Sequence, residues 1–255
     1  MRLSEFAARY DETLRVADYA DVDPSANGLQ IAPDEAEIET VAFAVDAAVE
    51  TVDRAVAAGA DAMVVHHGLS WGGFERVTGQ TYDRVAPLIE NDIALYAAHL
   101  PLDGHQSLGN AAGVADLLGL TDREPFGLLG GEPIGQRGHL PEATSLDALA
   151  SALAADLDTG DSSVRVVGGG AEHVESVAVV TGSGADYVGA AADAGADVLV
   201  TGEGKGKLYH EAQEANISAI LGGHYATETF GVRSLAELAR DWGLDTTFID
   251  CPTGL

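Results

Sequence analysis

Three short segments of this chain gather histidine and carboxylate at spacings suited to divalent metal ions. They are Val64-Val65-His66-His67-Gly68, His99-Leu100-Pro101-Leu102-Asp103 and Gly222-Gly223-His224-Tyr225-Ala226-Thr227-Glu228. Neutral imidazole nitrogens and carboxylate oxygens are the ligands that Zn, Mn, Fe, Co or Ni accept, and affinity order alone does not choose among these metals. Each segment directly follows an apolar run of strand character. In α/β proteins, side chains at the carboxyl ends of parallel strands converge where ligands bind. The conjunction points to a metalloprotein with a hydrolase-type site. Two divalent ions a few ångströms apart lower the pKa of a shared water and polarise the bond it attacks.

Each residue taken alone also has a plainer reading. Neighbouring side chains on a regular strand point to opposite faces. One of His66 and His67 would then be a core histidine and the other exposed, unless the strand ends and Gly68 lets the backbone turn. With that turn, both reach one cluster or serve two neighbouring ions. Glu228 lies one helical turn after His224, so both can face the same centre; the plainer reading is an exposed glutamate favoured by the helix dipole. Asp103 follows Pro101 and reads as a loop residue. It either completes a metal shell or caps a helix starting near His105.

An internal repeat supplies the elements that position these groups. Residues 40–68, TVAFAVDAAVETVDRAVAAGADAMVVHHG, align without a gap on residues 176–204, SVAVVTGSGADYVGAAADAGADVLVTGEG. Each copy reads as strand, helix, strand, with Gly59 and Gly195 at left-handed helix ends. A loop, a helical segment and a third strand follow in both halves, at residues 93–98 and 217–221, and each leads into His-x-x-x-acid. Gly202-Glu203 stand where the first copy has His66-His67. The expected fold is α/β: two related lobes with mostly parallel sheets and the metal site in the cleft between them. The lobes are placed at 1–125, with His66, His67 and Asp103, and at 126–255, with His224 and Glu228, the last strand packing back on the first lobe. The remaining pattern predicts helices over 3–18, 105–119, 145–157 (capped by Thr144 or Ser145) and 229–242. It predicts strands over 164–167 and 246–250, and a Gly-rich crossover over 126–140.

Composition narrows the function classes. The chain of 255 residues is 46% hydrophobic and carries 41 acidic against 13 basic residues, a formal net charge of −28. The acids are dispersed and only two lysines occur, Lys205 and Lys207. Either the surface attracts cations or a basic partner, or the protein is adapted to high salt. Scarce lysine with abundant Ala, Asp and Gly favours the halophilic reading. Nucleic acid is excluded as a partner, since phosphate binding needs clustered Lys and Arg. One cysteine, Cys251, fits a reducing compartment and reads as a buried small hydrophobe. With no signal peptide and no long apolar run, no membrane is expected and the expected localisation is cytoplasmic.

Taken in order, the motifs resemble the GTP cyclohydrolase I type 2 / Nif-three-like family of dinuclear-metal proteins. The resemblance covers Ser25-Ala26-Asn27-Gly28-Leu29-Gln30, Val65 to Trp71, His99 to Asp103, Leu108-Gly109-Asn110, Thr201-Gly202-Glu203, Gly223 to Glu228 and Phe248-Ile249-Asp250. It implies that His66, His67, Asp103, His224 and Glu228 hold two divalent metal ions per chain, with Glu228 contacting both. It also implies a homohexameric ring whose sites face an internal cavity. His99 is not among the implied ligands; it either orients Asp103 or carries protons beside the ions, or is a hydrogen-bonded strand-end histidine. Two functions compete. One is a metal-dependent hydrolase acting on a nucleotide or amide-like bond of a small-molecule substrate. The other is a non-catalytic metal-dependent assembly or regulatory protein, and an open coordination position separates the two. The Gly202–Lys207 segment lacks phosphate-loop spacing and is a turn or a contact for an anionic substrate. Gly182-Ser183-Gly184 is a turn or a helix-start phosphate site.

Self-repulsion among dispersed acids weakens as the Debye length shrinks to about 3 Å at 1 M salt. The melting temperature should therefore rise steeply with KCl, and the oligomer should dissociate in dilute buffer. A melting curve flat between low and molar salt would contradict salt adaptation.

Overall fold

The computed structural model describes residues 1–34 and 36–255. The first helix, α1 (Leu3–Leu14), buries Leu3, Phe6, Ala7, Tyr10 and Leu14 along one face. Arg15 adopts a left-handed conformation and ends the helix short of residue 18, and a 3-10 turn follows over Val16–Tyr19. Then come β1 (Gly28–Ile31), β2 (Thr40–Asp46), α2 (Val49–Ala57), β3 (Ala62–His67), α3 (Gln80–Glu90), β4 (Ala94–Ala97) and one helical turn, α4 (Leu100–Asp103). The chain continues through α5 (Asn110–Leu117), β5 (Thr121–Leu129), β6 (Glu132–Ser145), α6 (Leu146–Asp156), β7 (Arg165–Val167) and β8 (His173–Val179). It closes with α7 (Val188–Asp193), β9 (Val198–Thr201), α8 (Leu208–Ala215), β10 (Ser218–Leu221), α9 (His224–Asp241) and β11 (Asp245–Phe248). Of the two expected caps of α6, Ser145 does the work, its hydroxyl accepting from the Ala148 amide.

The chain divides into two compact units, Met1–Leu102 with Val232–Cys251, and Asp103–Gly231 with Pro252–Leu255. The division falls after Leu102 and not near residue 125, because the Gly-rich stretch taken for a crossover is a hairpin within the second unit. Gly130 and Gly131 form its two-residue turn at φ 62° and 102°, a turn that needs positive φ at both positions.

In the first unit the strand order is β1-β4-β3-β2-β11, with β4, β3, β2 and β11 parallel and β1 antiparallel at the edge. The closing strand thus joins the first sheet. Val41, Phe43, Val64 and Tyr96 pack with α1 and with Val232, Leu235 and Ala239 of α9. Ala42, Ala44, Met63 and Val65 face Val52, Ala55 and Leu88 on the other side. Both faces are covered, which is why these strands read as unbroken apolar runs. In the second unit the order is β5-β6-β8-β9-β10-β7. Only β8, β9 and β10 are parallel there, so this sheet is mixed. Leu149 and Leu153 of α6 pack on Val177, Val179, Val198 and Val200. No helix among the described residues is long and apolar enough to cross a membrane.

The repeat is structural as well as sequential. Each copy of the repeat contributes three parallel strands with an antiparallel neighbour on the third, β1 beside β4 and β7 beside β10. A carboxylate latches each copy at the same point. Asp61 Oδ2 accepts from the Glu39 and Thr40 amides at 2.9 and 2.8 Å. Asp197 Oδ2 accepts from the Glu175 and Ser176 amides, both at 2.9 Å. Gly59 and Gly195, just before, have φ of 66° and 78°.

Removing either latch leaves two strand-entry amides without their acceptor. Asp61→Ala and Asp197→Ala should each lower the unfolding free energy by about 1–3 kcal/mol, measured by urea denaturation. Unchanged midpoints in both variants would show that the latches are not energetically important.

Candidate metal centre

In the first unit, β3 ends in His66 and His67, and His99 lies two residues past the end of β4. One donor atom from each of these three lies within 4.8 Å of the others. The rings pack closely, with centroids 4.6 Å apart for His66 and His67 and 5.1 Å for His66 and His99. His66 is fully buried and His67 half-buried. The reading of one core and one exposed histidine therefore fails, and both reach one cluster. Gly68 is required for space, not for a left-handed turn: a Cβ there would stand 2.7 Å from Ala97 Cβ and overlap the Gln30 amide. That amide accepts from Leu69 N at 2.7 Å and donates to Ala26 O at 2.8 Å, tying the loop after β3 to the Ser25–Gln30 segment.

Each imidazole is held through Nδ1. His66 Nδ1 donates to Ala98 O at 2.8 Å. His67 Nδ1 meets Asp46 Oδ1 at 2.9 Å, and His99 Nδ1 meets Asp23 Oδ1 at 2.9 Å. A carbonyl or carboxylate accepts only, so Nδ1 carries a proton, and the tautomer selected for the neutral ring has its lone pair on Nε2. Burial alone would raise the Asp23 pKa. The His99 hydrogen bond and charge, with bonds from Asn27 and Ser25, outweigh it and hold the carboxyl below its usual range. Asp23 Oδ2 also accepts from Leu100 N at 2.9 Å, and Asn27 Oδ1 from His99 N at 2.7 Å. His99 is thus fixed at both ring and backbone.

In the second unit Asp103 is buried and closes the α4 turn, where a loop was expected. Pro101 is compatible because it lies in the first turn, where no amide donor is needed. Asp103 does not cap the following helix, which starts after Gly109. Its Oδ1 instead accepts from Asn110 Nδ2 at 2.9 Å, and Asn110 Oδ1 accepts from Gly231 N at 2.8 Å. Helix α9 begins at His224, five residues earlier than the pattern suggested, and so places Glu228 one turn on. Glu228 is buried, which overturns the exposed helix-start reading. His224 Nε2 lies 3.1 Å from Glu228 Oε2, and its Nδ1 lies 3.5 Å from Glu203 Oε1. Burial opposes charge on this ring, but Glu228 and then Glu203 raise its pKa to about 9. Two carboxylates converging on one nitrogen base make a place for positive charge. Ser183 Oγ donates to Glu203, and both lysines pair with Asp186, which clasps the Gly202–Lys207 segment.

The residues fit divalent ions in chemistry: imidazoles whose Nδ1 is backed by an acceptor, the Asp103 carboxylate held by the Asn110 amide, and the buried Glu228 carboxylate beside His224. The family model for DUF34/NIF3 (NGG1p interacting factor 3) matches residues 1–253. The chain belongs to the DUF34/NIF3 family. It is 58% identical over 255 residues, the whole of both chains, to a GTP cyclohydrolase 1 type 2 homolog of Halobacterium salinarum. Among solved structures it resembles protein ybgI, described as of unknown function, at 37% identity and a TM-score of 0.90 over the whole of both chains. It also resembles TTHA1606 of Thermus thermophilus, at 38% identity and a TM-score of 0.88 over the same full extent.

Within this DUF34/NIF3 chain, sequence reasoning missed Asp23, Asp46 and the role of Glu203. Asp46 was accessible, since it is the last residue of β2 and pairs in register with His67. Asp23 had only its spacing to Ser25 and Asn27, an Asx-turn pattern, to mark it. Cys251 is partly exposed and not a core residue. Gly182 makes room for Glu228 and His224. At φ 56°, a Cβ there would collide with the Glu228 carboxylate and stand 3.1 Å from His224 Nε2. Gly182→Ala should therefore lower stability by about 1–3 kcal/mol. Gly189→Ala, in α7 with nothing within 4 Å of the added carbon, should be neutral or stabilising. Equal urea midpoints for the two variants would contradict this account of Gly182.

Proposed function

We propose that this DUF34/NIF3 chain binds two divalent metal ions through His66, His67, Asp103, His224 and Glu228, and that the loaded protein is a hydrolase of a nucleotide or amide-like bond. The observation that carries metal binding is the shared anchoring of Nδ1 on Ala98 O and Asp46, which leaves Nε2 as the donor nitrogen of His66 and His67. The description of the Halobacterium relative as a GTP cyclohydrolase 1 type 2 homolog supports the nucleotide as substrate class. When bound, the ions supply Lewis-acid polarisation and an acidified water. The chain's own residues do the rest: Asp46 and Ala98 O fix imidazole tautomers, Asn110 orients Asp103, and the space over Gly182 admits Glu228. We further propose a homohexameric ring as the assembled state.

A second reading, a non-catalytic metal-dependent assembly or regulatory protein, is favoured by one observation. His99 offers a third imidazole within 4.8 Å of His66 and His67, and a further protein ligand would close a position that catalysis needs open.

Elemental analysis with a nucleotide-turnover screen tests both readings. His66→Ala, His224→Ala and Glu228→Ala should each lose metal, Glu228→Ala most, and Asp46→Asn should weaken metal affinity about 10–100-fold. Two metals per chain retained in Glu228→Ala would overturn the ligand assignment. His99→Ala should keep both ions and slow turnover; loss of an ion would move His99 into the ligand set and favour the non-catalytic reading.

A further inference from the structure

On a chain with a net charge of −28, large exposed apolar side chains stand out. Trp71, Phe74, Val77 and Tyr82 are all exposed on the segment from the end of β3 into the first turn of α3. Trp71 differs from the others in its surroundings. The residue is 47% exposed, yet its ring centroid lies 5.0 Å from the His99 ring, with planes at 79°, and 6.0 Å from His67. The edge-on arrangement leaves the two rings unstacked on one another.

The backbone under Trp71 is held on both sides. Trp71 bridges to Ser25 in antiparallel register, Ala26 N donates to Ser70 O at 3.1 Å, and Gly72 N donates to Pro24 O at 2.8 Å. Gly72 and Gly73, at φ 81° and 105°, then turn the chain away. An exposed indole fixed beside imidazoles forgoes the stability its burial would bring. In the same unit Trp242 takes the core position instead, packing on Phe6 and Tyr10.

We propose that Trp71 is the stacking wall of a small-molecule site, where it takes a planar nitrogen-containing aromatic ring and holds it against the His66, His67 and His99 group. The proposal rests on the metal-centre reading above, and it identifies the part of the ligand recognised away from the ions. A broad indole face pairs with planar rings by offset stacking, whatever their edge substituents. The carboxylates of Asp23 and Asp46, directly behind the imidazoles, set the charge preference. They favour a neutral or protonated ring and disfavour an anionic one.

Uncharged nucleosides are the probe. Metal-loaded protein carrying Trp242→Phe, so that Trp71 is the remaining tryptophan, is titrated with adenosine, guanosine and cytidine, with ribose as the non-planar control. Tryptophan fluorescence reports contact and calorimetry reports affinity. Saturable quenching by at least one nucleoside and none by ribose is expected. Trp71→Phe should keep affinity within about threefold, and Trp71→Ala should lose about tenfold or more, both with unchanged metal content. Absence of quenching by every nucleoside overturns the proposal, as does unaltered calorimetric affinity in Trp71→Ala. A changed oligomeric state in Trp71→Ala with unaltered affinity would instead make the segment an interface between copies. Metal content is measured separately in every sample, so a protein that binds no metal refutes the metal-centre reading alone, while the nucleoside titration decides the stacking wall.

Discussion

A histidine can give a metal only the nitrogen that its other nitrogen does not need, so every candidate ligand on β3 depends on what accepts from Nδ1. That requirement explains more of this structure than the ligands do. Ala98 O accepts from His66 because β4 runs parallel to β3 and ends beside it. Asp46 accepts from His67 because β2 pairs with β3 in the register Asp46↔His67. A slip of one residue would turn each of these side chains to the opposite face. The apolar contacts that fix the register, among Val41, Phe43, Val64 and Tyr96, therefore hold the tautomers as well. Stability and ligand geometry share the same strands.

The duplication shows one frame adapted to two tasks. Asp61 and Asp197 hold the same turn in each copy, through the same pair of backbone amides. At the end of the first strand the copies diverge: the first carries Asp46, an acceptor for His67, and the second has Gly182, which leaves space for Glu228. At the end of the second strand, His66-His67 is replaced by Gly202-Glu203. There a Cβ on Gly202 would stand 2.7 Å from His224 Cα, so the glycine lets α9 begin close against the strand. Glu203, one residue on, meets His224 Nδ1. One half supplies imidazole backed by acid, and the other supplies acid facing imidazole.

Much of this was legible in the residues, and the failures have physical causes. The strand-helix-strand repeat, the amphipathic α1 and the Ser145 cap follow from local periodicity and capping chemistry, which act within a few residues. The motifs carrying His66, His67, His99, Asp103, His224 and Glu228 stood out because histidine and acid at strand ends are rare in combination; it was the family resemblance that implied five of these six as ligands. Helix boundaries were less legible. Arg15 ends α1 through a left-handed backbone that arginine seldom adopts, and α9 starts at His224 with no side-chain signal of its own. The division after Leu102 could not be read at all, since it depends on α9 and β11 returning to the first unit. The supporting acids Asp23 and Asp46 lie 76 and 21 residues from the histidines they hold. The β2–β3 register brings Asp46 to His67, and the loop before β1 brings Asp23 to His99.

The acidity of the chain and the chemistry of the site meet at His224. Burial should drive a proton from this ring, yet Glu228 and Glu203 raise its pKa to about 9. The pair of carboxylates thus overcomes the desolvation of a positive charge at that point. A divalent ion carries twice the charge of that proton, so the same arrangement favours it more strongly, and binding must expel the proton first. The dispersed surface acids act differently. At high ionic strength their field is screened within a few ångströms, while charges in partly buried contact are screened far less. A protein of this composition can therefore lose nearly all long-range attraction for cations in molar salt and still hold a local preference for them, because that preference resides in the buried Glu228 and in Glu203 clasped by Ser183.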